Sequence, residues 1–217
     1  YELWGDFSRA VTYLEQSLAM VQTQDNVADE AWHWRELGQL FRKLNQVRPA
    51  VDAFEKRLEL VRSAKNYAGI ADTLTDLGDL QRAVGEQAQA MEYYKGALEL
   101  AQAHELLLQE ANVLSSMGMS HHEAGKKRSA LKELERSLEV AKKVRSSRLV
   151  ADVSYRLALV LCKYDRWDKA EPHAQLARRL YGRLQDNTMI ERTESILRRI
   201  HNDKGISTSF FQNLLYS

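Results

Sequence analysis

A small residue recurs every 40 positions along this chain: Gly38, Gly78, Gly118 and Ala158. Leu37, Leu77, Met117 and Leu157 precede them in the same register. Twelve positions later stands an alanine, Ala50, Ala90, Ala130 and Ala170, and Ala10 carries that series back by one more period. Ala31, Ala71, Ala111 and Ala151 make a further set. A period of this length leaves room for one supersecondary unit per repeat, and such units bury their apolar faces only by stacking on neighbours.

Each series has a physical reading. The small residue and the alanine let two helices of one repeat approach closely. Phe54, Tyr94 and Leu134, then Leu58, Leu98 and Leu138, fill the space around them. Between the halves lie Gly5, Asn45, Gly85, Gly125 and Asp165, types that tolerate the left-handed conformation at a helix end. Between repeats come the N-cap types Asn26, Asn66, Ser146 and Asp186, with only Leu106 breaking the series. The spacing predicts ten helices: 7–23, 27–44, 47–63, 67–84, 87–103, 107–124, 127–144, 147–164, 167–184 and 187–201. Pro49 falls in the first turn of its helix, where a missing N–H does no harm, and Pro172 lies slightly deeper. Two prolines and ten glycines in 217 residues suit a chain helical nearly throughout.

These positions resemble the tetratricopeptide repeat family. Repeat two carries Trp34, Leu37, Gly38, Phe41, Ala50 and Phe54, with Arg57 departing from the family's small residue. Repeat three carries Leu74, Leu77, Gly78, Ala90, Tyr94 and Ala97, with Gln81 replacing an aromatic. Repeat four keeps Gly118 and Ala130, and repeat five keeps Leu157, Ala170 and Ala177. The 40-residue period is similar to that of Leu-Gly-Asn repeat proteins, kinesin light chains and bacterial regulatory arrays. Those relatives often carry asparagine before the Leu-Gly pair, where this chain has Glu36, Asp76, Ser116 and Arg156. The resemblance implies an all-α fold, a right-handed α-solenoid of antiparallel helical hairpins. It divides residues 1–201 into a partial first repeat (1–25), repeats 26–65, 66–105, 106–145 and 146–185, and a capping helix (187–201) in which Arg198 replaces the glycine. Residues 202–217 remain as an apolar tail. Tyr1 to Trp4 reads as the last turn of a helix that begins upstream, so the chain is expected to come from a longer array.

The family's geometry places exposed first-helix positions in a concave groove. Here they are Trp32, Arg35, Gln39 and Arg42, then Asp72, Thr75, Asp79 and Arg82, then Asn112, Ser115, Met119 and His122, then Asp152, Tyr155, Leu159 and Cys162. The early half is charged and the later half more apolar, which suits a peptide or partner helix of mixed character. The family's chaperone-tail clamp of lysines and asparagines is missing from these positions.

The remaining chemistry is sparse. His121 and His122 are adjacent, so on a helix they diverge by about 100°, whereas helical zinc motifs space their ligands three or four apart. Cys162, the single cysteine, sits in an apolar run and reads as a buried inert thiol; a reducing, cytoplasmic setting follows. No Gly-rich phosphate loop or nucleophile elbow is present, so no catalytic residue, metal or cofactor is expected. A net charge of +1, with glutamates interleaved in the basic stretch from Lys126 to Arg148, argues against nucleic acid as a partner. No apolar run approaches the roughly 20 residues needed to span a bilayer. The expected function is a protein-interaction scaffold binding a peptide or partner helix. The alternative is the sensor arm of a larger signalling or transcription-control protein, since Leu180 to Asp186 resembles helix ends of bacterial switch ATPases.

After Lys204 the chain has no charged residue, and Phe210, Phe211, Leu214 and Leu215 recur at helical spacing. Three destinations compete for this stripe: the last hairpin, a groove of its own or a neighbouring molecule, or a stub of the next element. The first two predict an ordered 206–217 with Phe211 buried. Deletion of 206–217 should then lower the melting temperature if the segment caps the array, or change the sedimentation coefficient if it bridges molecules. Fast amide exchange throughout 206–217, with neither property altered, would leave only the stub.

Overall fold

Residues 45, 65, 85, 105, 125, 145, 165 and 185 all adopt the left-handed backbone conformation, one every 20 positions, with φ between 52° and 91°. Each follows a helix end, and all but Arg145, which has a single bond to Lys142, are held by paired backbone bonds. Asn45 N–H donates to the Arg42 carbonyl (3.0 Å) and Gln46 N–H reaches back to Phe41 (2.8 Å). The same pairing recurs where Lys65 and Asn66 bond to Arg62 and Val61, and where Gly85 and Glu86 bond to Arg82 and Gln81. This Schellman geometry satisfies the last carbonyls of each helix and turns the chain sharply. Asn45, Gly85, Gly125 and Asp165 are the residue types expected there. Lys65, Glu105, Arg145 and Gln185 are not, and nothing in their identity forecasts a positive φ.

In this computed structural model, which describes residues 2–24 and 26–203, the turns separate ten α-helices. These are α1 (Glu2–Gln22), α2 (Val27–Lys43), α3 (Val47–Ser63), α4 (Tyr67–Ala83), α5 (Gln87–Ala103), α6 (Leu107–Glu123), α7 (Lys127–Val144), α8 (Ser147–Lys163), α9 (Trp167–Arg183) and α10 (Asn187–Asp203). From α2 onwards every boundary lies within two residues of the predicted one. The expected N-caps hold their helices: Asn26 accepts from Asp29 N–H, Asn66 from Gly69, Ser146 from Leu149 and Asp186 from Met189. α9 runs unbroken through Pro172.

One expectation is overturned. Gly5 was to end a helix, but it lies inside α1, which is continuous from Glu2. A single glycine in a helix interior costs only about 1 kcal/mol, so it does not stop a helix whose other residues favour one. The tail beyond Asp203, including Phe211, lies outside the described residues.

The chain divides into two compact units, Tyr1–Ser116 and Met117–Ser217. In the first, α2 packs on α3 and α4 on α5, while α1 lies on α2 and α3 on α4. In the second, α7 packs on α8, α8 on α9, and α10 on both α8 and α9. The first unit's core joins Ala31, Ala50, Phe54, Leu58, Val61, Leu77 and Leu80, with Leu18, Leu37 and Ala53 beside it. The second unit's core joins Ala158, Leu161, Cys162, Ala170 and Ala174 to Ile196, Leu197 and Ile200 of α10. Arg198, in the register of the glycines, is exposed.

The glycines sit where no side chain fits. A Cβ at Gly38 would lie 2.6 Å from the Phe54 ring, one at Gly78 2.5 Å from Tyr94, and one at Gly118 2.7 Å from Leu134. Phe54, Tyr94 and Leu134 are themselves fully buried, so none of them can swing aside into solvent. By contrast a Cβ at Gly96 would meet only Leu74, at 3.9 Å. Gly78→Ala should therefore cost roughly 1–3 kcal/mol by overpacking, a fall of about 3–10 °C in melting temperature for a chain this size. Gly96→Ala, in open space within α5, should raise stability by roughly 0.5–1 kcal/mol. Thermal denaturation of both variants checks the pair of signs, and equal effects would show the hairpin contact to be wrongly identified.

Candidate functional site

Two aspartates of α4 organise the polar face of the first unit. Asp76 stands immediately before the Leu77-Gly78 pair and is buried. Its Oδ2 accepts from Arg35 Nε of α2 at 3.1 Å and lies 3.5 Å from Arg57 Nη1 of α3. One turn on, Asp79 lies 3.6 Å from Arg42 of α2 and 3.5 Å from Arg82 of α4. The Tyr94 hydroxyl of α5 donates to Asp79 Oδ1 at 2.7 Å. Two carboxylates thus connect four helices.

Arg57 occupies the position where repeats three and five have Ala97 and Ala177. It is only 7% exposed. Its Nη1 has no hydrogen-bond partner among the described residues, and its nearest anion is the Asp76 oxygen. Burial, together with the neighbouring Arg35, lowers the Arg57 guanidinium from its usual range, against the pull of Asp76. Burial likewise raises the carboxyls of Asp72 and Asp76, opposed in both cases by Arg35 and Arg57. Burial and the Asp79 carboxylate raise the Tyr94 phenol, which keeps it a neutral donor. The two departures from the family pattern, Arg57 and Asp76, therefore answer one another. Sequence reading registered each alone; their opposite charges, both at positions the family fills with neutral residues, were the available signal.

The predicted groove positions fare unequally. Trp32 is 54% exposed at the N-terminal end of α2, its ring edge-on to His33. Arg35, Gln39, Arg42, Asp72, Thr75, Asp79 and Arg82 are half-buried on α2 and α4; Arg42 and Arg82 already engage Asp79, and Arg35 engages Asp76. Thr75 turns its hydroxyl back to the Ala71 carbonyl (2.8 Å). Asn112 is half-buried. Ser115, predicted to face a partner, is 1% exposed. Its hydroxymethyl is too short to clear the surrounding side chains, as Arg35 and Tyr155 do in the same register.

In the second unit Met119, His122 and Tyr155 are half-buried, and His122 lies edge-on to Tyr164 with ring centres 5.8 Å apart. Burial lowers His121 and His122 from the usual imidazole range. Asp152 accepts from the Tyr181 hydroxyl (2.7 Å), and Leu159 is exposed. Cys162 is buried, as its apolar run predicts and against its groove register, and burial pushes its thiol up to about 11. No group of three or more His, Cys, Asp or Glu residues is placed to hold a metal ion among the described residues. None of the described helices is long and apolar enough to cross a membrane.

The first unit also holds a cleft of about 340 Å³ between the N-terminal half of α2, the C-terminal half of α3 and the start of α4. Val27, Ala31, Leu60 and Val61 make its apolar walls, Trp32 its rim, and Arg35 and Arg57 are the charged groups that line it.

Because Asp76 is buried between two guanidiniums, Asp76→Ala should destabilise the chain by roughly 3–5 kcal/mol, leaving Arg57 as an uncompensated buried charge. The double variant Asp76→Asn/Arg57→Leu should lose less than that single change, as urea denaturation would measure. A double variant as unstable as Asp76→Ala would mean that Arg57 and Asp76 do not act as a pair.

Residues 29–103 match the sequence profile of the tetratricopeptide repeat family. No curated protein matches the sequence. Among solved structures the chain is similar to BtubC from P. vanneervenii, with a TM-score of 0.76 and 17% identity over 92% of this chain and 85% of that one. It is similar to the Rap conjugation gene regulator of plasmid pLS20, solved in complex with the Phr* peptide, with a TM-score of 0.80 and 15% identity. That match covers 95% of this chain and 56% of the regulator. A third is the signal transduction ATPase with numerous domains PH0952 from Pyrococcus horikoshii, which has a tetratricopeptide repeat sensor (TM-score 0.68, 18% identity, 95% of this chain and 32% of that one). At these identities the likeness lies in the fold. Residues 29–103 thus carry the tetratricopeptide repeat, and the described residues have the all-α repeat-solenoid fold of these structures.

Proposed function

We propose that this chain is a protein-interaction scaffold that holds a peptide or partner helix against the first helices of its hairpins. The observation that carries the reading is the face of α2 and α4. An exposed tryptophan there adjoins half-buried arginines and aspartates whose outer atoms stay open to solvent. Pre-oriented side chains of this kind bind with little further ordering cost, and tryptophan and arginine are the residues that dominate binding energy at interfaces. The contacts in the first unit would be Trp32, Arg35, Gln39, Arg42, Asp72, Thr75, Asp79, Arg82 and Asn112. In the second unit Met119, His122 and Tyr155 are the corresponding candidates. The Phr* complex of the Rap regulator supports the reading by analogy of fold, although this chain spans 56% of that protein's length.

A sensor arm within a larger signalling protein would use the same face, so the two readings differ in what the array is joined to. The likeness to PH0952, a protein with a tetratricopeptide repeat sensor of which this chain covers 32%, supports the second reading by analogy of fold. Neither reading gives the chain a catalytic step.

Trp32→Ala tests the shared premise. At an exposed site the change should alter stability by no more than about 0.5 kcal/mol. Partner capture should weaken by roughly 2 kcal/mol or more, about thirtyfold, if Trp32 anchors the ligand. Affinity capture with intact and substituted chains, each checked for helicity by circular dichroism, provides the measurement. An unchanged set of captured proteins would remove Trp32 and its neighbours from the binding face.

A further inference from the structure

What the cleft beside Trp32 offers a ligand is its apolar wall. Val27, Ala31, Leu60 and Val61 line it, and its two guanidiniums are already engaged, Arg35 at 3.1 Å and Arg57 at 3.5 Å from Asp76. An occupant gains by covering apolar surface, whereas a charged group would lose its water there without finding a free counter-ion. Exposed apolar side chains recur at one register of the first unit. Val27, Tyr67 and Leu107, the first residues of α2, α4 and α6, are 41%, 40% and 39% exposed. At the same register of the second unit, α8 and α10 begin with Ser147 and Asn187.

The two units also differ in charge. Tyr1–Ser116 holds 11 basic and 18 acidic residues, a net of −7, and Met117–Ser217 holds 20 basic and 12 acidic, a net of +8. The chain's overall +1 conceals this asymmetry. Fourteen residues, 204–217, follow the last described helix of the basic unit. After Lys204 they carry no charge, and they include Phe210, Phe211, Leu214 and Leu215. The basic unit thus ends in a neutral apolar segment, and the acidic unit presents an apolar cleft whose own charges are compensated.

From these complementary halves we infer that the chain associates with a second copy of itself, head to tail. The basic unit of one copy approaches the acidic unit of the next, and its Phe210–Phe211 segment fills the cleft beside Trp32. This names a partner for the face proposed above and rests on that reading. Opposite net charges speed the encounter and orient it, while burial of the phenyl groups supplies affinity. Residues 204–209 span up to about 20 Å when extended, so the phenyl groups can reach beyond the helix that carries them. The cleft, about 340 Å³, is at the small end of ligand cavities and suits one large side chain and part of its neighbour. Like units repel, which disfavours a symmetric pairing. A contact between unlike surfaces is heterologous, so it continues into rings or filaments and does not close at a dimer.

Sedimentation velocity of the whole chain at rising concentration tests this. The mass should grow beyond a dimer as concentration rises. Raising the salt from about 0.1 M to about 1 M shortens the screening length from about 10 Å to about 3 Å, and should shift association to higher concentration. Phe210→Ser/Phe211→Ser, which alters no residue of the ten helices, should weaken association at least about tenfold, as the loss of a large buried side chain does. Trp32→Ala should do the same from the other side of the contact. Mixing these two variants leaves one intact contact per pair, so the mixture should form a one-to-one complex and grow no further. A monomer at every concentration, as a tail docked within its own chain would give, overturns the inference. So does association that the tail substitutions or salt leave unchanged, or a mixture no heavier than its parts. Capture of other proteins that Trp32→Ala weakens would then keep the peptide-binding reading, and failure of that capture as well would sink both.

Discussion

The contact on which the hairpins depend is between a backbone and a ring. At Gly38 and Gly78 the first helix approaches so closely that even a methyl group would fall within 2.6 Å of Phe54 or Tyr94. At Gly118 the partner is Leu134, but the distance is equally short. Protein interiors pack at near-crystalline density, so a glycine opposite a fully buried large side chain fixes both helix separation and rotation. Ala50, Ala90 and Ala130, all without exposed surface, complete the close approach from the second helix. Once this contact is set, the direction of every other side chain on the first helix follows from the 3.6-residue period.

The polar face of α2 and α4 is one consequence. With Gly78 turned towards Tyr94, Asp76 and Asp79 are carried to either side of it, one under α2 and α3, the other against Tyr94 itself. Each then attracts two guanidiniums. The buried set resembles a core contact more than a surface salt bridge, because Arg57 and Asp76 are withdrawn from water and must compensate each other. The outer set, Asp79 with Arg42 and Arg82, remains partly solvated and contributes less to stability than to the orientation of its side chains. Binding residues held in place by their neighbours lose little entropy on contact with a ligand. The ion pairs that tie the repeats together are therefore also what holds the candidate face in shape.

The polar chemistry of the first unit is set by exceptions to the repeat. The recurring positions build a generic scaffold, whereas Arg57, Asp76 and Trp32 occur once each in their registers. Arg57 is the clearest case. A position that takes alanine or serine in the other repeats here takes the largest cationic side chain, and the structure accommodates it beside a cleft rather than in a sealed core. Its placement joins the stability of the first unit to the chemistry that the unit presents.

The sequence by itself determined the period, the helices and the helix-pairing contacts. Every one of these is a local or strictly periodic property: small residues at 38, 78 and 118, N-caps at 26, 66, 146 and 186, and turn-tolerant types at 45, 85, 125 and 165. It failed where the residue type was uninformative or its neighbours mattered. Lys65, Glu105, Arg145 and Gln185 adopt positive φ because the two flanking helices and their backbone bonds impose it, not because of their side chains. Gly5 misled for the converse reason, since a helix tolerates one glycine when packing and propensity on either side favour it. Register placed Ser115 and Cys162 on the groove face; the apolar run already marked Cys162 as buried, whereas for Ser115 only its surroundings showed that a short side chain there is covered. The pairing of Arg57 with Asp76, 19 residues apart on different helices, was decided by tertiary structure alone. Opposite charges at two non-periodic positions carry no distance information until α3 packs on α4 and brings them together.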